Sequence, residues 1–153
     1  MQVTTDEIHV KYMLQAVECA NESIPVGTAY CVGCVIVKNN VVISTGYSRE
    51  LPGNTHAEES ALIKLNNAQV SADGSDLYST MEPCSKRLSG NVPCAHHIIK
   101  NKVKRVFVGV LEPANFVNCE GIQQLINANI EVISVQAEGL KEKCLAPNNH
   151  ILK

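Results

Sequence analysis

Four side chains in this sequence could do chemistry together: His56, Glu58, Cys84 and Cys94. The first two sit in Asn54-Thr55-His56-Ala57-Glu58-Glu59, the cysteines in Met81-Glu82-Pro83-Cys84 and Pro93-Cys94. One imidazole and two thiolates are three ligands for a tetrahedral zinc ion whose fourth position is left to water. A metal held this way lowers the pKa of its water towards neutrality. Glu58 is the spare carboxylate that can move protons to and from that water. The matching chemistry is hydrolytic attack on a ring carbon that bears an amino group. Each cysteine follows a proline, where a helix can begin, and a helix N-terminus stabilises thiolate.

Each part alone has a plainer reading. Thr55-x-x-Glu58 fits a capping box, with Thr55 as N-cap and Glu58 at N3. His-x-Glu is a weak signal by itself. A single cysteine is usually core filler. The combination carries the metal assignment. Cys31-x-x-Cys34 is set aside, because residues three apart on a strand point to opposite faces. Glu59 reads as facing solvent or an interface, and His96 and His97 as solvated helix residues.

Positioning these groups takes an ordered set of elements. Thr4 and Glu7 fit a capping box opening a helix, with Val10, Met13, Leu14, Val17 and Ala20 at helical spacing and a stop before Pro25. Tyr30 to Val37 reads as a buried strand, Asn39-Asn40 as a turn and Val41 to Tyr47 as the returning strand. A loop then delivers the His56 helix, which ends near Asn66-Asn67. Residues 67–75 are a surface loop. Asp76 to Thr80 is a strand leading to Cys84, and Cys94 opens a helix through Ile98 and Ile99. Arg105 to Val110 is a strand, Gly121 to Asn129 a helix and Ile130 to Val135 the last strand. A short helix to about Cys144 follows, with irregular chain after Pro147. The order α-β-β-α-β-α-β-α-β-α predicts an α/β domain of three layers, α/β/α, around a mixed sheet of five strands. Right-handed crossovers place the His56 and Cys94 helices on one face, so that distant ligands converge.

The chain has 153 residues, which bounds it to a single domain, 1–153, with room for a sizeable core. Its net charge of −2 argues against a strong hold on nucleic acid. No apolar run reaches membrane-spanning length, and the polar N-terminus resembles neither a signal nor a transit peptide. Seven cysteines are odd in number and too sparse for a disulfide framework, so a reducing compartment is expected, cytoplasm first and nucleus second.

The whole pattern resembles the cytidine-deaminase-like superfamily, and within it the pyrimidine deaminases of riboflavin biosynthesis. Three pieces carry this: residues 46–58 (GYSRELPGNTHAE), 80–85 (TMEPCS) and 87–94 (RLSGNVPC), with Val106-Phe107-Val108-Gly109-Val110-x-Glu112-Pro113 similar too. The last of the three is similar to the fungal branch. The resemblance implies a CMP/dCMP-type deaminase domain of cytidine-deaminase-like fold. It implies a zinc cofactor and a stand-alone enzyme working with a separate reductase. The implied substrate is 2,5-diamino-6-ribitylamino-4(3H)-pyrimidinone 5′-phosphate. Nine residues separate Cys84 from Cys94, where most nucleoside and tRNA deaminases have two. One departure is Tyr30-Cys31 before Val32-Gly33, where bacterial members carry Asn-Pro, so base contacts do not transfer from that position.

A phosphorylated substrate needs a basic group. Lys86 and Arg87, beside Ser85 in the insertion between the cysteines, are candidates, and Arg49 is a second; solvated loop charge is the bland alternative. Asn54 is placed to read the base. A homo-oligomer, foremost a dimer, is expected from the superfamily; neither membrane nor nucleic acid is an expected partner. Two other readings stand beside this one. A nucleoside or nucleobase deaminase is disfavoured by the long cysteine spacing and the absence of Trp. A catalytically inactive zinc-stabilised interaction domain is disfavoured by the spare carboxylate of Glu58.

Overall fold

The computed structural model describes residues 1–84, 92–111 and 120–152. In chain order its elements are β1 (Gln2–Thr4), α1 (Glu7–Glu22), β2 (Gly33–Lys38), β3 (Val41–Tyr47), α2 (Ala57–Asn67) and β4 (Asp76–Met81). Then come α3 (Cys94–Lys100), β5 (Arg105–Val110), α4 (Gly121–Asn127), β6 (Glu131–Val135), α5 (Leu140–Leu145) and a 3-10 turn at Ala146–Asn148. The strands form one mixed sheet in the order β1-β6-β5-β4-β2-β3. β2 runs antiparallel to β3 and β4, while β4, β5, β6 and β1 run parallel.

The α/β/α layering agrees with the expectation. One apolar cluster holds Ala61 and Leu62 of α2, Ala95 and Ile98 of α3 and Leu125 of α4. The other holds Met13, Ala16 and Val17 of α1 with Leu140 and Cys144 of α5. The His56 and Cys94 helices therefore share a face. Among the described residues no helix is long and apolar enough to cross a membrane.

Three details differ from the sequence expectation. The sheet has a sixth strand, β1, joined to β6 by parallel backbone pairing. Its three residues are mostly exposed and show no apolar run that would mark them. Because Gln2–Thr4 is strand, α1 starts later, with Asp6 rather than Thr4 at the N-cap. The Thr4 hydroxyl instead accepts the Asp6 N–H at 3.2 Å. The strand expected from Tyr30 begins only at Gly33. Before it, the N–H and C=O of Cys31 bond to the Asn148 side chain, and Val32 N–H bonds to Ser48 Oγ at 2.9 Å. These groups are thereby spent outside the ladder. The Asn39-Asn40 turn is as expected, with φ of 53° and 62° at its two residues, the left-handed pair a tight hairpin requires.

One close approach sets the position of the site helix. A Cβ on Gly46 of β3 would lie 2.2 Å from the Ala57 carbonyl oxygen. Only glycine lets the first turn of α2 come this near the sheet.

Candidate active site

Three element ends meet at one place: the start of α2, the chain just beyond β4 and the start of α3. They carry His56, Cys84 and Cys94. His56 Nδ1 lies 3.1 Å from Cys94 Sγ and 3.5 Å from Cys84 Sγ. The three ligand atoms all lie within 4.8 Å of one another. A tetrahedral zinc with ordinary Zn–N and Zn–S bonds needs N···S separations of roughly 3.5 Å, so the donor set fits. Both cysteines are buried. The backbone N–H of Cys94 donates to Cys84 Sγ at 3.3 Å, which stabilises a thiolate there. Without metal, the Cys94 thiol donates to Cys84, which pulls the Cys84 pKa down; burial together with this donation pushes Cys94 up. The pair thus keeps a proton that a metal would displace.

Glu58 and Glu59, adjacent in the first turn of α2, point to different tasks. Glu59 Oε1 accepts the His56 backbone N–H at 3.1 Å, and its Oε2 lies 3.4 Å from His97 Nε2 on α3. His56 is the N-cap and Glu59 sits at N3. The capping box expected from Thr55 and Glu58 is therefore shifted by one residue. Thr55 is unavailable as the cap because its hydroxyl closes the preceding loop. It donates to Leu51 O at 3.0 Å and accepts from Leu51 N–H at 3.1 Å and Ser60 Oγ at 3.0 Å. Glu59 is thus half-buried and bonded, not directed to solvent.

The shift releases Glu58. Its side chain is buried, with only 3 % of the residue exposed. Ser79 Oγ of β4 lies 2.6 Å from Glu58 Oε1 and also 2.6 Å from the Met81 carbonyl oxygen. Burial raises the Glu58 pKa above the usual carboxylate range; hydrogen bonds from Ser79 and Cys94 and the charge of His56 oppose the rise. A carboxyl so placed holds a proton more readily than one in water.

Residues 6–110 match the model of the cytidine and deoxycytidylate deaminase zinc-binding region. The chain belongs to this family. Its cofactor is zinc, and the His56, Cys84 and Cys94 cluster can accept one. The chain is 54 % identical over 127 residues to the diaminohydroxyphosphoribosylamino-pyrimidine deaminase of Schizosaccharomyces pombe, covering 82 % of this chain and 31 % of that protein. It superposes on the Aspergillus oryzae Rib2 deaminase in complex with DARIPP with a TM-score of 0.74 at 30 % identity, covering 95 % of this chain and all of that one (100 %). RibD of Acinetobacter baumannii gives a TM-score of 0.80 at 33 % identity, over 96 % of this chain and 39 % of that one. The chain spans about a third of the length of the curated relatives it matches, 31 % and 30 % for the first two.

The remaining sequence expectations fall unevenly on the deaminase fold. Asn54 is exposed, immediately before Thr55, with φ of 59°. The Arg49 guanidinium is engaged with the chain between α1 and β2, at Tyr30 O (3.3 Å), Ser23 Oγ (3.0 Å), Ile24 O (3.1 Å) and Cys31 Sγ (3.5 Å). Ser85, Lys86 and Arg87 lie outside the described residues. Cys34 packs in the core under α2, whereas Cys31 is buried against Asn148. His96 is exposed, but His97 is half-buried and reaches Glu59, so it is not a solvated residue. Two contributors escaped the sequence reading. Glu59 acts as the cap, which the second glutamate after a histidine could have signalled. Ser79 was hidden in its strand; its one signal is a small hydroxyl within Leu77-Tyr78-Ser79-Thr80.

Proposed function

We propose that this chain deaminates 2,5-diamino-6-ribitylamino-4(3H)-pyrimidinone 5′-phosphate in riboflavin biosynthesis, with His56, Cys84 and Cys94 as the zinc ligands. The observation that carries the proposal is the buried carboxyl of Glu58 beside three, not four, metal-ligating side chains among the described residues. A structural zinc site closes its tetrahedron with protein ligands, whereas a catalytic one keeps a position open. The names of the fungal relatives support the same substrate class.

Zinc, when bound, supplies Lewis acidity that brings the pKa of water close to neutrality. Glu58 takes the proton that the attacking water gives up and delivers it to the neighbouring ring nitrogen. It then helps move a proton to the exocyclic amine as that amine departs. A C–O bond forms, the C–N bond breaks, and ammonia leaves; water is the sole co-reactant. Its raised pKa suits Glu58 to both accepting and giving protons. The Cys94 N–H moderates the charge on Cys84. Lys86 and Arg87 are the proposed phosphate contacts and Asn54 the proposed base contact. Arg49, engaged at the loop before β2, serves better as a brace for that loop. The working form is proposed as a homodimer in the cytosol, where thiolates stay reduced.

Turnover in water enriched in heavy oxygen tests the reaction class. The label should enter the product at the carbon that lost nitrogen. Ammonia release with an unlabelled product would contradict hydrolysis.

A further inference from the structure

Ser79 lies in the middle of β4, fully buried, in a strand whose other positions are almost all buried too. A hydroxyl there is costly unless it is bonded. Its two close partners are Glu58 Oε1 and the carbonyl of Met81, each at 2.6 Å. A serine hydroxyl has one hydrogen and two lone pairs. A carbonyl can only accept. Ser79 can therefore give its hydrogen to Glu58, or give it to Met81 and accept one from the carboxyl. In both arrangements Glu58 Oε1 stays tied to the same oxygen.

We propose that Ser79 is the positioning residue that holds the Glu58 carboxyl at the reacting atoms throughout the cycle. This rests on the deaminase reading above. Cys94 also reaches the carboxyl when it carries a hydrogen. As a zinc ligand it is a thiolate with no hydrogen to give. Among the described residues, that leaves Ser79 to fix the carboxyl in the loaded enzyme. Ser79 is itself part of β4, so its bond ties the carboxyl of α2 to the strand that leads to Cys84, five residues later. The shuttle and one ligand are thus referenced to a single rigid strand.

The test uses the zinc-loaded chain with Ser79→Ala and Ser79→Thr. Ser79→Ala should bind zinc in the wild-type ratio and keep KM within about twofold, while kcat falls roughly 10- to 100-fold, the scale of a displaced catalytic group. Ser79→Thr, which keeps the hydroxyl, should recover most of the lost kcat. Should the alanine variant be unstable, Ser79→Cys, of similar size and a weak hydrogen-bond donor, replaces it with the same expected direction. Unchanged kcat in Ser79→Ala, or a loss that only follows zinc content, would overturn the proposal. A second readout separates it from the deaminase reading. Crystals of the zinc-loaded wild type and Ser79→Ala should show Glu58 Oε1 displaced in the variant. An unmoved carboxyl would overturn the role of Ser79 whether or not the wild type releases ammonia. A wild type that releases none would overturn the deaminase reading alone, with the Ser79 contact then decided by that displacement.

Discussion

Glu58 and Glu59 differ only in which way the first turn of α2 presents them, yet they divide two tasks. Glu59 closes the helix on the His56 N–H, and Glu58 lies buried beside the ligands. Exchanging each for glutamine separates the tasks. Glu58→Gln should keep its zinc, measured by metal analysis, and lose roughly 10²- to 10⁴-fold in kcat, the usual worth of a general acid–base. Glu59→Gln should keep most of its activity and lose about 1 kcal/mol or less of stability in denaturant. A pH effect follows from burial. The folded chain holds the Glu58 proton above the pH at which an unfolded glutamate releases it. The folded state thus binds more protons, and metal-free stability falls as pH rises from the unfolded pKa through the folded one. Glu58→Gln removes that loss. The metal-free variant should gain on the wild type from acid to neutral pH in melting experiments, and parallel curves would contradict the burial argument. The cluster of His56, Cys84 and Cys94 was legible in the sequence because metal chemistry demands particular residue types, whereas the part played by Glu59 was not. Nor was the register of the cap. Thr55 and His56 are both placed to cap, and the choice falls to a contact with Leu51 that no local rule contains.

At the level of elements, the site depends on how closely α2 rests on β3. Gly46→Ala would put a methyl 2.2 Å from a backbone oxygen of Ala57, next to His56. Backbone cannot move aside as a side-chain end can, so α2 must shift. Expected is a loss of about 1–3 kcal/mol in denaturant melts, as for overpacking, with weaker zinc retention. Gly27→Ala, where nothing lies within 4 Å, is the control and should change little. Most elements could be read from the sequence because buried strands and amphipathic helices leave periodic apolar patterns. β1 could not, since three largely exposed residues earn their place through backbone pairing with β6. The late start of β2, at Gly33 and not Tyr30, was equally hidden, because Asn148, far along the chain, supplies the competing hydrogen bonds.

Across the whole molecule, a metal held by His56, Cys84 and Cys94, as proposed, would clamp distant parts of the chain. The ligand pairs are 28, 38 and 10 residues apart in sequence. Zinc binds the folded arrangement and not the open chain, so it stabilises by mass action. Chelation should lower the melting midpoint by several degrees, and returning zinc should restore it. A midpoint indifferent to chelator would contradict the three-residue site. The layering and the shared face of α2 and α3 were legible because crossover handedness allows little else. The identity of the substrate is written in contacts to the base and phosphate, which fold geometry alone does not spell out. The most direct test is therefore ammonia release by the zinc-loaded chain. The reduced ribitylamino pyrimidine phosphate, its unreduced ribosyl counterpart and cytidine are offered in parallel. Release from the ribitylamino compound alone is the predicted result. Release from cytidine alone, or from none of the three with zinc bound, would contradict it.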